Sequence, residues 1–382
     1  MFGGIGSYTY YLGQGFVING HSVTVLTSYI NNPRNFTSKG IHVFQIGPYA
    51  SLEAFRCSVW KYFGDIGRTA FDVVESPDWG ADGAMLSSDI LGAVPHIVTC
   101  HTPSWYMYRL FREERTSWSE FKMAMRPWKW PKWQFKEEVT LVKRASAVHS
   151  PSKAMLKVVE EYLGPLKKKD IIPNPCMPLN GMSIVNENRD NNNPLVLFVG
   201  KLNIVKGADL LASIIPIIAD AIPNSRFWLI GADGRAPAGS GFISMKQFLL
   251  FHLRKLKDRI TISDRVPLDQ VRVAYDQSSV SIFPSRWESW GMVAVEAMSA
   301  GSAVVGTCNG GMAELIQAPK FGLIADPANP EVFAGEVIRI LNDGELRAII
   351  INSAFQMLKK ELSPEHIASK KIDAYRRAGA RG

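Results

Sequence analysis

The sequence predicts a protein of two α/β domains, each built around a parallel β-sheet with crossover helices. Short runs rich in β-branched residues alternate with longer segments of helical spacing along most of the 382 residues, and this alternation is typical of parallel sheets. One stretch, 163–194, interrupts it with proline, asparagine and charged residues. Because the chain is long for a single core, we interpret this stretch as the connection between two domains.

Five runs in each half have the length and composition of strands. They are residues 21–28, 41–47, 72–78, 96–102 and 146–152 in the first half, and 194–200, 226–232, 259–264, 279–285 and 302–307 in the second. Ligands of parallel sheets gather at the carboxyl ends of the strands, and Glu75 and His101 fall at two such ends. Ser363, followed by His366 and an apolar stripe, predicts the start of a final helix.

The composition is that of an ordinary soluble globular protein, with 46% hydrophobic and 20% charged residues. No run approaches the ~20 apolar residues of a membrane span, and "MFGGIGSYTY" lacks the basic start and apolar core of a signal peptide. A net charge of +8 permits an anionic partner. The absence of metal-ligand spacing favours reduced thiols and the cytoplasm for the four cysteines, Cys57, Cys100, Cys176 and Cys308.

Two glutamates in "WESWGMVAVEAMSAGSAVVG" suggest a binding site. Glu288 and Glu296 are eight positions apart, which would place them about 80° apart around one helix. The spacing is better explained if Glu288 lies in a loop and a helix begins near Trp290 or Gly291. The unpaired N–H groups of that first turn would then form an anion site, and Gly291 would let a ligand approach the backbone.

Four loops of the second half each follow a predicted strand, so we expect them on one rim of the sheet. They are "GKLNIVKG" with Lys201 and Lys206, "IGADGR", "SRWESWGMVAVEAMSAG" and "NGGMAEL". Two lysines beside a helix start would make a cradle for a diphosphate. We therefore predict that Glu288 and Glu296 bracket one elongated anionic ligand, with the helix start between them.

The E-x7-E pattern, followed by "AMSAGSAVVG" and "GGMAEL", resembles the GT-B glycosyltransferases of family 4, which are retaining enzymes that use sugar nucleotides. "GGIGSYTYYLGQGFVINGHSVTVLTS" is similar to the first loop, helix and second strand of that family, "IIPNP" to its linker and "GKLNIVKG" to its basic phosphate loop. The resemblance extends from Gly3 to Tyr375. It implies transfer of a sugar from a nucleoside-diphosphate sugar to a hydroxyl acceptor, in glycolipid or polysaccharide synthesis.

The same resemblance implies the GT-B architecture, with two Rossmann-like domains that face each other across a cleft. It places an acceptor-side domain at 1–175, a linker at 176–194, a nucleotide-sugar-binding domain at 195–360 and a helix in 361–382 that packs back onto the first domain. Only Met1 and Phe2 precede Gly3. We therefore expect the first domain to lack the strand that the family has before its first glycines.

Site roles follow from the resemblance, position by position. Lys201 and Lys206 would hold the donor diphosphate, although the family more often has Arg at the position of Lys201. Glu288 would contact hydroxyls of the transferred sugar, and Glu296 would bind the nucleotide ribose. The donor would also meet Gly3 and Gly4 of the glycine-rich loop and the backbone N–H groups of Trp290, Gly291, Met292 and Val293.

The histidine after the strand "HIVTC", His101, matches the family's histidine beside the sugar and acceptor. The expected catalytic residues are therefore His101, Glu288 and Lys206. No Asp-x-Asp occurs in the chain, and lysines with a helix N-terminus can supply the positive field, so we expect transfer without a metal or any other cofactor. Glu75 and Asp78 could reach an acceptor hydroxyl, but capping or a turn at Pro77 explains them equally well.

Residues 109–144 carry ten Lys or Arg against five Glu and four of the ten Trp. The segment could be a solvated loop whose tryptophans cover the domain, or a peripheral membrane contact through 118–133 near a lipid-linked acceptor at the inner face of the membrane. Nucleic acid is the least favoured partner. For the whole chain, the alternatives are a nucleotide-sugar epimerase of GT-B architecture and a non-catalytic nucleotide-sugar-binding protein. "GGIGSY" lacks the third glycine of an NAD fingerprint, which argues against that cofactor.

Overall fold

The computed structural model describes residues 4–29, 32–48, 51–66, 70–113, 132–176, 190 and 192–380. They form two compact α/β units. The first unit contains the described residues up to Arg109, from 132 to Pro175 and from Glu361 onward. The second contains the described residues 110–113 and those from Cys176 to Lys360.

The strands of the first unit form two sheets. One has the order β1-β3-β2, and the other has the order β4-β5-β6-β7 with all of its pairs parallel. The strands are β1 Val23–Tyr29, β2 Asn35–Ser38, β3 Ile41–Pro48, β4 Val74–Pro77, β5 His96–Thr99, β6 Ala147–Ser150 and β7 Lys169–Ile171. The α-helices are Gly4–Ile18, Leu52–Ile66, Ser88–Leu91, Ser104–Glu113, Lys132–Arg144, Lys153–Leu163 and Pro364–Ala378.

All five strands predicted for this half are present, and two more, β2 and β7, were not predicted. β2 is polar and exposed and pairs antiparallel with β3. Its hairpin turn uses Lys39 and Gly40, both at positive φ, although the sequence there is not a typical Asn-Gly or Asp-Gly turn. β7 is a short edge strand with two exposed residues, so it carries almost no hydrophobic signal.

The last helix packs on the first unit through its neighbour Gly4–Ile18. A Cβ on Gly15 would overlap the backbone carbonyl of Pro364, so glycine is what lets the two helices approach closely. The Asn19 amide donates to the carbonyl oxygen of Glu365 at 3.0 Å. As the sequence predicts, Ser363 caps this helix by accepting from the backbone N–H of His366.

A buried ion pair fixes the same helix to the sheet. Lys371 Nζ is fully buried and lies 3.2 Å from Glu75 Oε2. The prediction that Glu75 falls at a strand end is wrong, because Glu75 is the second residue of β4. Burial opposes its ionisation, but Lys371 and further partners lower the pKa of Glu75 to about 2. The other hydrogen-bond donors to this carboxylate are the hydroxyls of Tyr8, Thr99 and Tyr375.

The second unit has one six-stranded parallel sheet of order β10-β9-β8-β11-β12-β13. Its strands are β8 Leu195–Val199, β9 Arg226–Ile230, β10 Ile260–Ser263, β11 Val280–Phe283, β12 Ala303–Thr307 and β13 Leu323–Ala325. Five of them match the predicted runs, whereas β13 has three residues and was not predicted. The order runs outward in both directions from the neighbouring strands β8 and β11, so the direction of winding changes between them.

Helices cover this sheet and complete an apolar core. Large side chains from strands and helices are fully buried together, among them Phe198, Phe227, Ile214 and Phe333. The α-helices are Leu211–Ala221, Met245–His252, Leu268–Gln277, Met292–Ser299, Gly311–Ile316, Pro330–Asn342 and Gly344–Glu361. No helix within the described ranges of the chain has the length and apolar character needed to cross a bilayer.

We expect Lys371→Met to lower the free energy of unfolding of the first unit by about 3–5 kcal/mol, because it leaves Glu75 buried without its cation. Adding Glu75→Gln should recover part of that loss, since the uncompensated charge is then gone. Urea unfolding followed by circular dichroism measures both. Lys370→Met removes an exposed neighbouring lysine and is the matched control; equal effects of the two single substitutions would contradict the structural role of the pair.

Candidate functional site

The candidate site lies where the winding of the second sheet changes direction. The loop after β8 carries Lys201 and Lys206, and the loop after β11 carries Glu288. Because β8 and β11 are parallel neighbours, both loops leave the sheet at the same edge. This is the position at which open α/β sheets bind ligands.

Glycine allows the Lys206 loop to lie directly against the end of β11. Gly207 has φ +67°, and a Cβ there would overlap the carbonyl oxygen of Pro284. The Asn203 side chain accepts from the backbone N–H of Lys206 at 2.9 Å, while Leu202 is fully buried. The backbone on both sides of Lys206 is therefore held, which fixes the position of its Cα atom.

Two ion pairs join the loops. Lys206 Nζ lies 2.6 Å from Glu288 Oε1, which also accepts from Ser285 Oγ at 2.8 Å. Arg286 makes a bidentate contact with Asp209, with both N···O distances 2.8 Å. Glu288 is only 6% exposed, whereas the side chain of Lys206 is 33% exposed, so salt and water screen this pair less than a pair of two fully exposed side chains.

The helix after Glu288 begins at Met292, close to the predicted start. Its N-cap, Gly291, has φ +94° and makes no side-chain capping bond. The first-turn N–H groups therefore lack the side-chain acceptor that most helices provide. A Cβ on Gly291 would lie 2.7 Å from Met312 Cε, which shows how tightly the cap is packed against the helix Gly311–Ile316.

The backbone of Glu288 is held from the other side by the "NGG" loop. Glu288 pairs with Gly310 in an isolated parallel bridge, and its carbonyl accepts from the N–H of Gly311 at 2.8 Å. Gly310 has φ +81°, and a Cβ there would overlap this carbonyl oxygen. Three of the four predicted loops thus converge on Glu288, whose side chain and main chain are both fixed before any ligand binds.

Glu296 lies in the second turn of the helix Met292–Ser299 and is half-buried. Burial raises the pKa of its carboxyl to about 7, and the charge of Arg272 opposes that shift. Trp290 is buried, and its indole N–H has no acceptor among the described residues. Glu296 therefore offers a carboxyl with a pKa near neutrality, and Trp290, at the start of the same helix region, offers a buried indole N–H.

The remaining residues predicted to bind the sugar-nucleotide donor come from both units. Lys201 is exposed at the end of β8, and Val293 accepts through its carbonyl from the Tyr275 hydroxyl at 3.2 Å. Gly4 is the first residue of the helix Gly4–Ile18 in the first unit. Gly3 lies outside the described residues.

His101 belongs to the first unit, two residues after β5. Its backbone N–H donates to Asp78 Oδ1 at 2.8 Å, and its ring contacts the Tyr8 ring edge-on at 4.7 Å between centroids. Burial lowers the pKa of His101 to about 4, so the imidazole is neutral at pH 7. Asp78 is buried and caps the 3-10 turn Trp79–Ala81. The structure therefore supports the capping role of Asp78 rather than a contact with an acceptor hydroxyl.

Of the tryptophan-rich segment, residues 118–131 lie outside the described part of the chain. Trp133, at the start of the helix Lys132–Arg144, is half exposed. The guanidinium of the buried Arg56 lies 5.3 Å from its ring centroid. Trp133 therefore covers the charged side chain of Arg56, which belongs to the same unit.

Sequence reasoning missed Ser285 and the Arg286–Asp209 pair. Ser285 and Arg286 lie inside the motif "SRWESWG". Ser285 binds Glu288 three residues away in the same loop, whereas the partner of Arg286, Asp209, is 77 residues away and is set by the packing of two loops. The only signal in the sequence was the position of Arg286, two residues before Glu288.

Comparison with known proteins identifies the family and the fold. Residues 2–176 match the model described as Glycosyltransferase Family 4, and residues 183–357 match the model described as Glycosyl transferases group 1. An uncharacterized glycosyltransferase of Methanocaldococcus jannaschii is 24% identical over 98% of this chain and 94% of its own. Sucrose-phosphate synthase from Thermosynechococcus elongatus superposes with a TM-score of 0.74 at 19% identity, covering 98% of this chain and 93% of its own.

This chain is a GT-B glycosyltransferase. Its two halves match the two family models in order, and its two α/β units account for the structural similarity. A further solved structure, Anabaena HepE in complex with UDP and glucose, superposes with a TM-score of 0.69 at 19% identity over 99% of this chain and 98% of its own. A curated relative, the D-inositol 3-phosphate glycosyltransferase of Acidothermus cellulolyticus, is 32% identical over 42% of this glycosyltransferase and 36% of its own length.

We expect Gly207→Ala to destabilise the second unit of this glycosyltransferase by about 1–3 kcal/mol, because alanine is strained at positive φ and its Cβ would displace the loop. Gly335→Ala is the matched control, since a Cβ there meets nothing within 4 Å and alanine favours the helix. Urea unfolding of both variants tests this. A Gly207→Ala protein as stable as the control would show that the close contact with Pro284 is absent.

Proposed function

We propose that this glycosyltransferase is a retaining, metal-independent hexosyltransferase that moves a sugar from a nucleoside-diphosphate sugar to a hydroxyl acceptor in glycolipid or polysaccharide synthesis. The observation that carries the proposal is the Lys206–Glu288 pair directly before an uncapped helix start at the change of winding in the second sheet. The complex of the HepE neighbour with UDP and glucose supports the same class of donor.

In this proposal Lys206 and the helix start bind the donor diphosphate. An ammonium group has three N–H donors, and one of them is used on Glu288, which leaves two for phosphate oxygens. The bond to Glu288 keeps the ammonium in place before the donor arrives. The N–H groups of Gly291, Met292 and Val293 add the positive end of the helix dipole, and exposed Lys201 supplies a second cation.

Glu288 is proposed to bind the transferred sugar through its second carboxylate oxygen. Lys206 and Ser285 both bond to Oε1, and no described residue donates to Oε2. A sugar hydroxyl can take that position. Since this carboxylate is already fixed by two donors, we assign it to positioning and to stabilising the oxocarbenium character of the sugar rather than to covalent attack.

Transfer with retention then proceeds on one face of the sugar. The bond from the anomeric carbon to the phosphate oxygen breaks as the acceptor hydroxyl adds to the same face, and the leaving phosphate oxygen takes the proton of the acceptor. Lys206 and the helix N–H groups stabilise the negative charge that builds up on the departing diphosphate. Mass spectrometric detection of a glycosyl group on Glu288 would contradict this sequence of events.

His101 is the proposed catalytic group of the first unit. Its neutral imidazole at pH 7 can accept a hydrogen bond from a hydroxyl or donate one. Asp78 fixes its backbone and Tyr8 packs against its ring, so the ring has a defined position. Substitution by alanine should lower turnover while leaving nucleotide binding to the second unit unchanged.

Calorimetry with UDP, GDP and ADP in the presence of EDTA tests the donor site. We expect micromolar binding of one nucleotide, and a loss of about tenfold to a hundredfold in Glu296→Gln, because the charged acceptor for ribose hydroxyls is lost. Glu331→Gln, an exposed glutamate of the same unit, is the matched control. Failure of all three nucleotides to bind the folded protein would refute the proposal, and binding only with a divalent cation would refute its metal independence.

Nucleotide affinity should also depend on pH through Glu296. Its pKa of about 7 means that the carboxylate form, the stronger acceptor for ribose hydroxyls, is lost as pH falls through neutrality. We expect the affinity of wild type to weaken several-fold from pH 8 to pH 6 relative to Glu296→Gln. Titration of the nucleotide phosphates affects both proteins alike, so a parallel dependence in the two would exclude Glu296 as the cause.

A further inference from the structure

An exposed apolar patch on the second unit has no role in the donor site. It is formed by the helix Met245–His252 with the loop before it, and we call it the 243–251 patch. Ile243 is 85% exposed, Leu250 54% and Phe251 50%. Phe242 packs against the Phe251 ring at 5.2 Å between centroids, which joins the loop and the end of the helix into one surface.

The core does not account for these side chains. The same helix buries Met245 and Leu249 completely, and Leu253 follows them into the core. Those residues recur every four positions and form the inward stripe of an amphipathic helix. Leu250 and Phe251 lie outside that stripe, on a part of the helix where polar residues would be expected.

A run of cations directly follows the apolar side chains. Arg254, Lys255 and Lys257 are exposed, and none of them forms an ion pair with a residue that the structure describes. The guanidinium of Arg254 lies 4.7 Å from the Phe251 ring centroid, so charge and apolar surface adjoin. Residues 242–258 contain one acid, Asp258.

We propose that the 243–251 patch binds the surface of an anionic phospholipid bilayer. Ile243, Leu250 and Phe251 would enter the boundary between headgroups and acyl chains, while the three cations contact lipid phosphates. Apolar side chains beside a cluster of Lys and Arg match the two layers of that boundary. A protein partner would not require apolar side chains followed directly by a run of cations. Membrane binding by this patch does not depend on the proposed transfer reaction.

Vesicle flotation with phosphatidylcholine, with and without phosphatidylglycerol, tests the proposal. Wild type should float with the anionic vesicles and lose binding as salt is raised. The apolar triple variant Ile243→Ser, Leu250→Ser, Phe251→Ser should reduce binding by about tenfold, and so should the cationic triple Arg254→Gln, Lys255→Gln, Lys257→Gln. Melting temperatures near that of wild type show that the variants are folded.

Matched controls come from the same unit. Val332→Ser and Ile349→Ser remove exposed apolar side chains elsewhere, and Lys359→Gln with Lys360→Gln removes exposed cations; both should bind like wild type. Wild type that ignores anionic vesicles would overturn the proposal. So would loss of binding only in Trp128→Ser, Trp130→Ser, Trp133→Ser, or a wild-type dimer that the apolar triple variant converts to monomer.

Discussion

The ion pair between Lys206 and Glu288 is the interaction on which the organisation of the candidate site in the second unit depends. It connects the loops of two neighbouring strands across the line where the sheet changes its winding direction. Glu288 is nearly inaccessible to water, so the pair is stable only because Ser285 and the backbone around Gly310 and Gly311 complete its surroundings. Gly207 and Gly310, both at positive φ, let these loops approach each other closely.

A similar principle governs the first unit, where a buried carboxylate is surrounded by donors. Glu75 receives hydrogen bonds from three hydroxyls and a buried ammonium group. No single partner would offset the cost of removing this charge from water, but four together do. In both units a buried acid lies where separate elements meet and binds donors from more than one of them, which favours a single packing of those elements.

Much of the fold could be predicted from the sequence because parallel α/β domains repeat a strong local pattern. Ten predicted strands are present, and the loop-then-helix arrangement around Gly291 follows from the spacing of two glutamates. The three missed strands, β2, β7 and β13, are short or polar, so they carry little periodic signal. Which buried side chains pair with each other was harder to predict. Lys371 lies 296 positions from Glu75, and no local pattern reveals that a lysine on an amphipathic helix points inward to one acid.

The buried pair of Glu75 and Lys371 has a consequence for biosynthesis. The first unit is completed only by residues after 360, which follow the second unit in the sequence. During translation the Glu75 strand is made 296 residues before its cation, and it cannot form the pair until the residues after 360 have left the ribosome. Until then the acid lacks its counter-charge, and the apolar face of the first helix stays uncovered. Chaperones are therefore most needed while these later residues are still being made.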